Sequence, residues 1–155
     1  MSRKLIVGAA AVALLVSAAH AYQGGDLILD KKDKLANTDD AYKPDLNNLS
    51  KKLKDDAFAA KFLQFIDGHP HKLYKVKFKK GDKVVIEMKS KEMDSVVVVE
   101  TAKKMILDFN DDDPAGNTLD SKLEFTAPDD GEYRIIATNL DKKAGDFHLT
   151  VAKAK

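Results

Sequence analysis

Cysteine is absent from all 155 residues. Disulfides, thiolate catalysis, iron–sulfur clusters and cysteine-ligated zinc are thereby excluded. Tryptophan is absent too, and proline occurs only four times. No charge sign dominates: 26 Lys and Arg stand against 25 Asp and Glu, a formal charge of +1. Arg3 and Lys4 are the only charged residues before position 22, so the remainder carries 24 bases against 25 acids, or −1. That balance is not the footprint of a nucleic-acid binder. The catalytic signatures are missing as well. There is no Gly-x-Ser-x-Gly, no His-Glu-x-x-His and no glycine-rich phosphate loop. The expectation is a protein that is not an enzyme. What the chain does have is 44% apolar residues, enough for a packed core.

Residues 1–21 have the order of a secretion signal. Arg3 and Lys4 form a positive start, Leu5 to Ala19 is apolar or small, and Ala19-His20-Ala21 fits the small-x-small cleavage rule. The apolar run is shorter than the ~20 residues a bilayer span needs. Cleavage before Tyr22 is therefore expected, with a mature protein that is periplasmic or secreted and has no membrane insertion.

Two textures follow. Residues 22–68 are polar and punctuated, with a short strand allowed around Leu27 and Leu29 and a helix from Leu49 to Ile66. Its apolar residues recur at steps of three and four, and Gly68 and Pro70 end it. Phe58, Phe62 and Phe65 give that helix an aromatic edge, read as packing, with a partner-binding face as the alternative. From residue 69 to 155 the period changes to two. Tyr74-Val76-Phe78, Val84-Ile86-Met88, Met105-Leu107-Phe109, Leu123-Phe125, Tyr133-Ile135-Ala137 and Phe147-Leu149-Val151 alternate with polar residues, and Val96 to Val99 is a continuous β-branched run. Seven short strands with frequent turn signals predict an all-β chain, an antiparallel β-sandwich. Its expected core includes Val76, Phe78, Ile86, Val97, Leu107, Phe125, Tyr133, Ile135, Phe147 and Leu149, with the one N-terminal helix packed on or beside it.

The ordered series Tyr74–Asp82, Val85–Ser90, Met93-Asp94-Ser95, Leu107–Asp113, Leu119–Leu123, Phe125–Ile136 and Ala144–Val151 resembles the bacterial pre-peptidase C-terminal domain, the PPC family. It covers about half of the chain. Val96 stands where the family usually carries an aromatic residue. The resemblance implies a jelly-roll-like sandwich that is non-catalytic. It would serve as a secreted binding or accessory domain for surface or substrate attachment, with a protein or polysaccharide as its partner. Calcium is sometimes linked to such domains.

The densest chemistry lies in the loop Asp108 to Asp120. Asp108, Asp111, Asp112, Asp113 and Asp120 crowd there with Asn110 and Asn117, and no Lys or Arg intervenes. Such carboxylates repel unless solvent, backbone amides or a cation offsets them, and Ca²⁺ takes six to eight oxygens. The candidate ligands are Asp111, Asp112 and Asp113, with Asp94 or Asp120 completing the shell; Asp94 enters because the PPC pattern that the chain resembles carries an aspartate there together with the acidic loop. A solvated turn with capping aspartates is the competing expectation. Other function classes also remain open here: a calcium-stabilised structural module with no partner, or a small secreted hydrolase. His69, His71 and His148 are too few for a zinc site and are expected at the surface. Lys75 and Lys77 read as protection of an exposed strand, with a polyanion contact as the alternative.

Overall fold

The structure, a computed structural model, describes residues 25–114, 116 and 118–154. The expected signal sequence with its Ala19-His20-Ala21 site lies outside the described residues, as does Asn117. Eight strands run β1 Leu27–Leu35, β2 Lys72–Phe78, β3 Lys83–Lys89, β4 Ser95–Thr101, β5 Ile106–Asn110, β6 Ser121–Thr126, β7 Gly131–Asn139 and β8 Gly145–Lys153. Two helices, α1 Lys51–Lys54 and α2 Ala57–Phe65, lie between β1 and β2.

The strands form two four-stranded sheets, ordered β1-β8-β3-β6 and β2-β7-β4-β5. Every ladder is antiparallel. Apart from the β4–β5 hairpin, each strand passes to the opposite sheet. That eight-stranded path is a jelly roll. Period-two alternation drives it, because each strand turns one row of side chains toward the other sheet. All ten expected core residues lie in this inter-sheet cluster.

A second apolar cluster covers the outer face of the β2-β7-β4-β5 sheet, where Val96, Val98, Ile106 and Ile136 meet Tyr42, Leu49, Leu53, Ala59, Phe62, Leu63 and Ile66. The valine run is thus buried on both faces: Val97 and Val99 point between the sheets, Val96 and Val98 toward the helices. The molecule has three layers.

The region before residue 69 differs from expectation. β1 is a full edge strand paired with β8 from Leu27 to Leu35, and Leu35 is completely buried. The boundary drawn at residues 68 and 69 therefore does not separate two structural units. The expected single helix breaks at Asp55-Asp56. Ser50 caps α1 by accepting from Leu53 N, and Asp56 caps α2 by accepting from Phe58 N at 2.8 Å. An aspartate at the N-cap satisfies an amide that the helix itself leaves open. Gly68, at φ +79°, turns the chain out of the helical segment.

The aromatic edge of α2 also splits. Phe62 is buried and stacks on Phe109 at 4.5 Å, whereas Phe58 and Phe65 are 61% and 60% exposed. Phe62→Ala should lower unfolding stability by about 3 kcal/mol. Phe58→Ala and Phe65→Ala should each stay within about 0.5 kcal/mol of the parent in urea titrations. No helix among the described residues is long and apolar enough to cross a membrane.

Candidate functional site

The acidic residues gather where β4 begins, β5 ends and β7 ends. Antiparallel pairing of β4 with β7 sets Ser95 opposite Asn139, so the chain entering β4 runs beside the chain leaving β7. Leu140 N donates to Asp94 O at 2.9 Å. Ser95 fixes the corner: its N donates to Leu119 O at 2.9 Å, and its Oγ lies within hydrogen-bonding range of Met88 O and Leu119 O.

Asn110 braces the acidic loop. Its Nδ2 donates to Asp112 O and Lys122 O, both at 2.7 Å, and its Oδ1 accepts from Asp111 N at 3.1 Å. These bonds hold Asp111 and Asp112 at the end of the sheet. Asp94 is pushed above the ordinary carboxylate range by burial, then by the charges of Asp141, Asp111 and Asp112. Asp111 is raised by burial and by Asp112. Asp141 itself is held low, its burial outweighed by hydrogen bonds and charge from Lys143.

The expected ligand set is therefore divided in space. Asp94, Asp111 and Asp112 share one electrostatic neighbourhood, joined by Asp141. Asp120 faces another way and accepts from Ser90 N at 3.0 Å. Asp113 lines a small concavity with Asn110, Pro114 and Lys122. Asp108 is engaged by Lys52 at 2.6 Å. Among the described residues no group of three His, Asp or Glu side chains stands close enough to hold a metal ion.

The histidine expectation needs correction. His69 is buried, and its Nδ1 lies 2.7 Å from Asn139 O; a carbonyl can only accept, so this nitrogen donates. His71 makes the same contact to Asp40 O at 2.7 Å. The two rings thus serve different carbonyls rather than one metal. His148 is only partly exposed, with Nε2 2.6 Å from Asp30 Oδ1.

Asp141 is the residue that the sequence reading missed. Its signal is indirect: once β4 is paired with β7, the residues just after Asn139 must fall beside Asp94.

Raised pKa values make Asp94 and Asp111 unfavourable charges at neutral pH. Their contribution favours folding at low pH and is lost as pH rises through the folded-state values. Asp111→Asn should therefore melt higher than the parent at pH 7, and the difference should shrink as pH falls toward the carboxylate range. Thermal scans across pH check this.

No protein-family model matches the chain, and no curated protein matches it. Among solved structures it is similar to the pre-peptidase C-terminal domain of collagenase from Bacillus anthracis, at 13% sequence identity and a TM-score of 0.49, over 81% of this chain and 89% of that one.

Proposed function

We propose that the chain is an exported, non-catalytic attachment domain of PPC type. The ordered PPC-like series supports this reading, because its segments fall on the strands and turns of one jelly-roll sandwich. Tyr74–Asp82 spans β2 and its turn, Val85–Ser90 runs through β3, and Phe125–Ile136 joins β6 to β7. The observation that carries a binding role is an open cleft of about 960 Å³ beside β1, β3 and β8 and the loops at their ends, mostly carbon-walled, with lysines and acids in equal number around it. Concave sites of this size are the usual places for ligands. N-terminal sequencing of exported protein tests the location: Tyr22 is expected as the first residue, and an intact Met1 start on membrane-bound protein contradicts it. Binding of the purified chain to cell-envelope material tests the attachment role.

A calcium role has one observation in its favour. Asp94 lies far from Asp111 and Asp112 in sequence, yet the fold brings all three within electrostatic reach. A divalent ion would offset their repulsion, but the three carboxylates do not stand close enough to share one as they are placed, so binding would have to draw Asp94, Asp111 and Asp112 together. At free calcium ten times the dissociation constant, native-state binding adds about 1.4 kcal/mol. The melting temperature should rise with Ca²⁺, rise less with Mg²⁺, and cease to respond in Asp94→Asn/Asp111→Asn. Superimposable curves in calcium and in chelator contradict this reading.

A further inference from the structure

We propose that the outer edge of β1 is a docking surface for a second copy of this chain. Two copies pair their β1 strands antiparallel about a two-fold axis at Lys32, which joins their β1-β8-β3-β6 sheets into one.

The four edge strands of the two sheets are β1, β6, β2 and β5, and they differ in what lies along them. β5 is occupied: Ser50 N donates to Ile106 O, and Ile106 N donates to Asn48 O. β6 is occupied where Lys122 N donates to Asp112 O and Lys122 O accepts from Asn110 Nδ2. β2 carries Lys72, Lys75 and Lys77 and no acid, so a second copy would meet like charge there. β1 is the long edge, nine residues, and Asp30 to Lys34 are all exposed. Among the described residues its backbone pairs only with β8. An open row of amides and carbonyls is a template for another strand.

The backbone fixes which groups are on offer. Lys153 N donates to Asp26 O on the β1 side, and Ala154 N donates to Lys83 O on the β3 side. Odd residues of β8 therefore face β1, and their partners across the ladder, Lys31 opposite Leu149 and Asp33 opposite Phe147, face β8 in return. The even residues Asp30, Lys32 and Lys34 face outward. Lys34 N confirms the phase, since it turns to Asp33 Oδ1 at 2.7 Å instead of to β8. A two-fold axis at Lys32 lets these three residues exchange ladder hydrogen bonds with their counterparts. The bulge between Leu27 and Leu29 ends the regular stretch on one side.

Charge selects the register. The run Asp30-Lys31-Lys32-Asp33-Lys34, centred on Lys32, sets Asp30 opposite Lys34 and Lys31 opposite Asp33 of the second copy, with Leu29 opposite Leu35. Lys32 meets Lys32 at the axis, with Asp30 of the second copy on its diagonal. Moving the axis to Asp33 would oppose Asp33 to Asp33 and Lys32 to Lys34; moving it to Lys31 would oppose Leu29 to Asp33. Lys31, Lys32 and Lys34 make no ion pair among the described residues. Asp30 Oδ1 lies 2.6 Å from His148 Nε2, which leaves its other oxygen for Lys34 of the second copy.

Analytical ultracentrifugation of the purified chain, from Tyr22 onward, tests this. A reversible monomer–dimer equilibrium is expected, weakened by salt. Lys34→Asp sets like charges opposite each other twice and should weaken the dimer about tenfold or more. Asp30→Lys/Lys34→Asp reverses both members of the pair and should restore it. Lys77→Asp, on the β2 edge, should leave dimerisation as in the parent. Hydrogen exchange at the amides of Lys32 and Lys34 should slow as protein concentration rises. Thermal melts of the dilute variants confirm that each is folded, the changes being at exposed positions. The proposal is overturned if the parent stays monomeric at millimolar concentration, if Lys34→Asp dimerises like the parent, if the reversed pair does not recover, or if Lys77→Asp changes the equilibrium.

Discussion

An Ile135→Ala variant should unfold with about 3 kcal/mol less stability than the parent, and Phe147→Ala should lose about as much. Ile135 is completely buried on β7 and Phe147 is 4% exposed on β8, each facing the inter-sheet core. Ile135 lies between strand neighbours, opposite Tyr74 on β2 and Val99 on β4. A sandwich held from both sides collapses little around a missing side chain. The loss therefore includes a cavity as well as the transfer free energy of the removed carbons. Urea titration should show a lower midpoint at an unchanged slope, since the surface exposed on unfolding is nearly the same. An unchanged midpoint in both variants contradicts the packing described.

Arg134→Ala should be of similar severity, by another mechanism. Glu100 is 2% exposed on the helix-facing side of β4. Its Oε2 accepts from Arg134 Nε at 2.8 Å, and its Oε1 accepts from Tyr42 OH at 2.8 Å. Burial raises the Tyr42 hydroxyl far above its ordinary pKa, and the Glu100 charge adds to this, so Tyr42 remains a donor. Removing the guanidinium leaves a buried carboxylate with one neutral donor, a change that lowers stability by about 3 kcal/mol. Replacing the whole network by carbon should be far milder. Tyr42→Phe/Glu100→Leu/Arg134→Met is expected to return most of the lost stability, because no charge is then left to desolvate. A triple variant as unstable as Arg134→Ala would show that the network does more than compensate for its own burial.

The strands from β2 to β8 were legible because apolar alternation is local. Where the phase slips, it misleads. Met105, Leu107 and Phe109 are spaced for one face, but a bulge between Val99 and Glu100 on the β4–β5 ladder shifts the register. Leu107 stays between the sheets, while Phe109 turns to the helices and stacks on Phe62. An added residue in one strand reverses the face of all that follow.

Only a short strand is legible around Leu27 and Leu29 because every residue from Asp30 to Lys34 is charged, as suits an edge strand that refuses apolar partners. Its length is set by β8, which no local pattern reveals. The break at Asp55-Asp56 is visible afterwards in the spacing: buried Leu53 and Ala59 are six positions apart, off the face of a continuous helix.

The candidate acidic site was legible in part for the same reason. The Asp111-Asp112 crowding is local, and its link to Asp94 came with the PPC resemblance. Asp141 joins them only through the β4–β7 ladder. Asp120 departs because Ser90, at the end of β3, takes its carboxylate. His69 was expected outside, yet the buried carbonyl of Asn139 gives its ring a partner that lies far along the chain.

Co-sedimentation of the purified chain, from Tyr22 onward, with cell-envelope material tests the proposed attachment role most directly. The account predicts saturable, reversible binding that weakens with salt, and envelope polymers recovered chemically unchanged. No saturable binding, or measurable cleavage of the polymer by the pure chain, would contradict it.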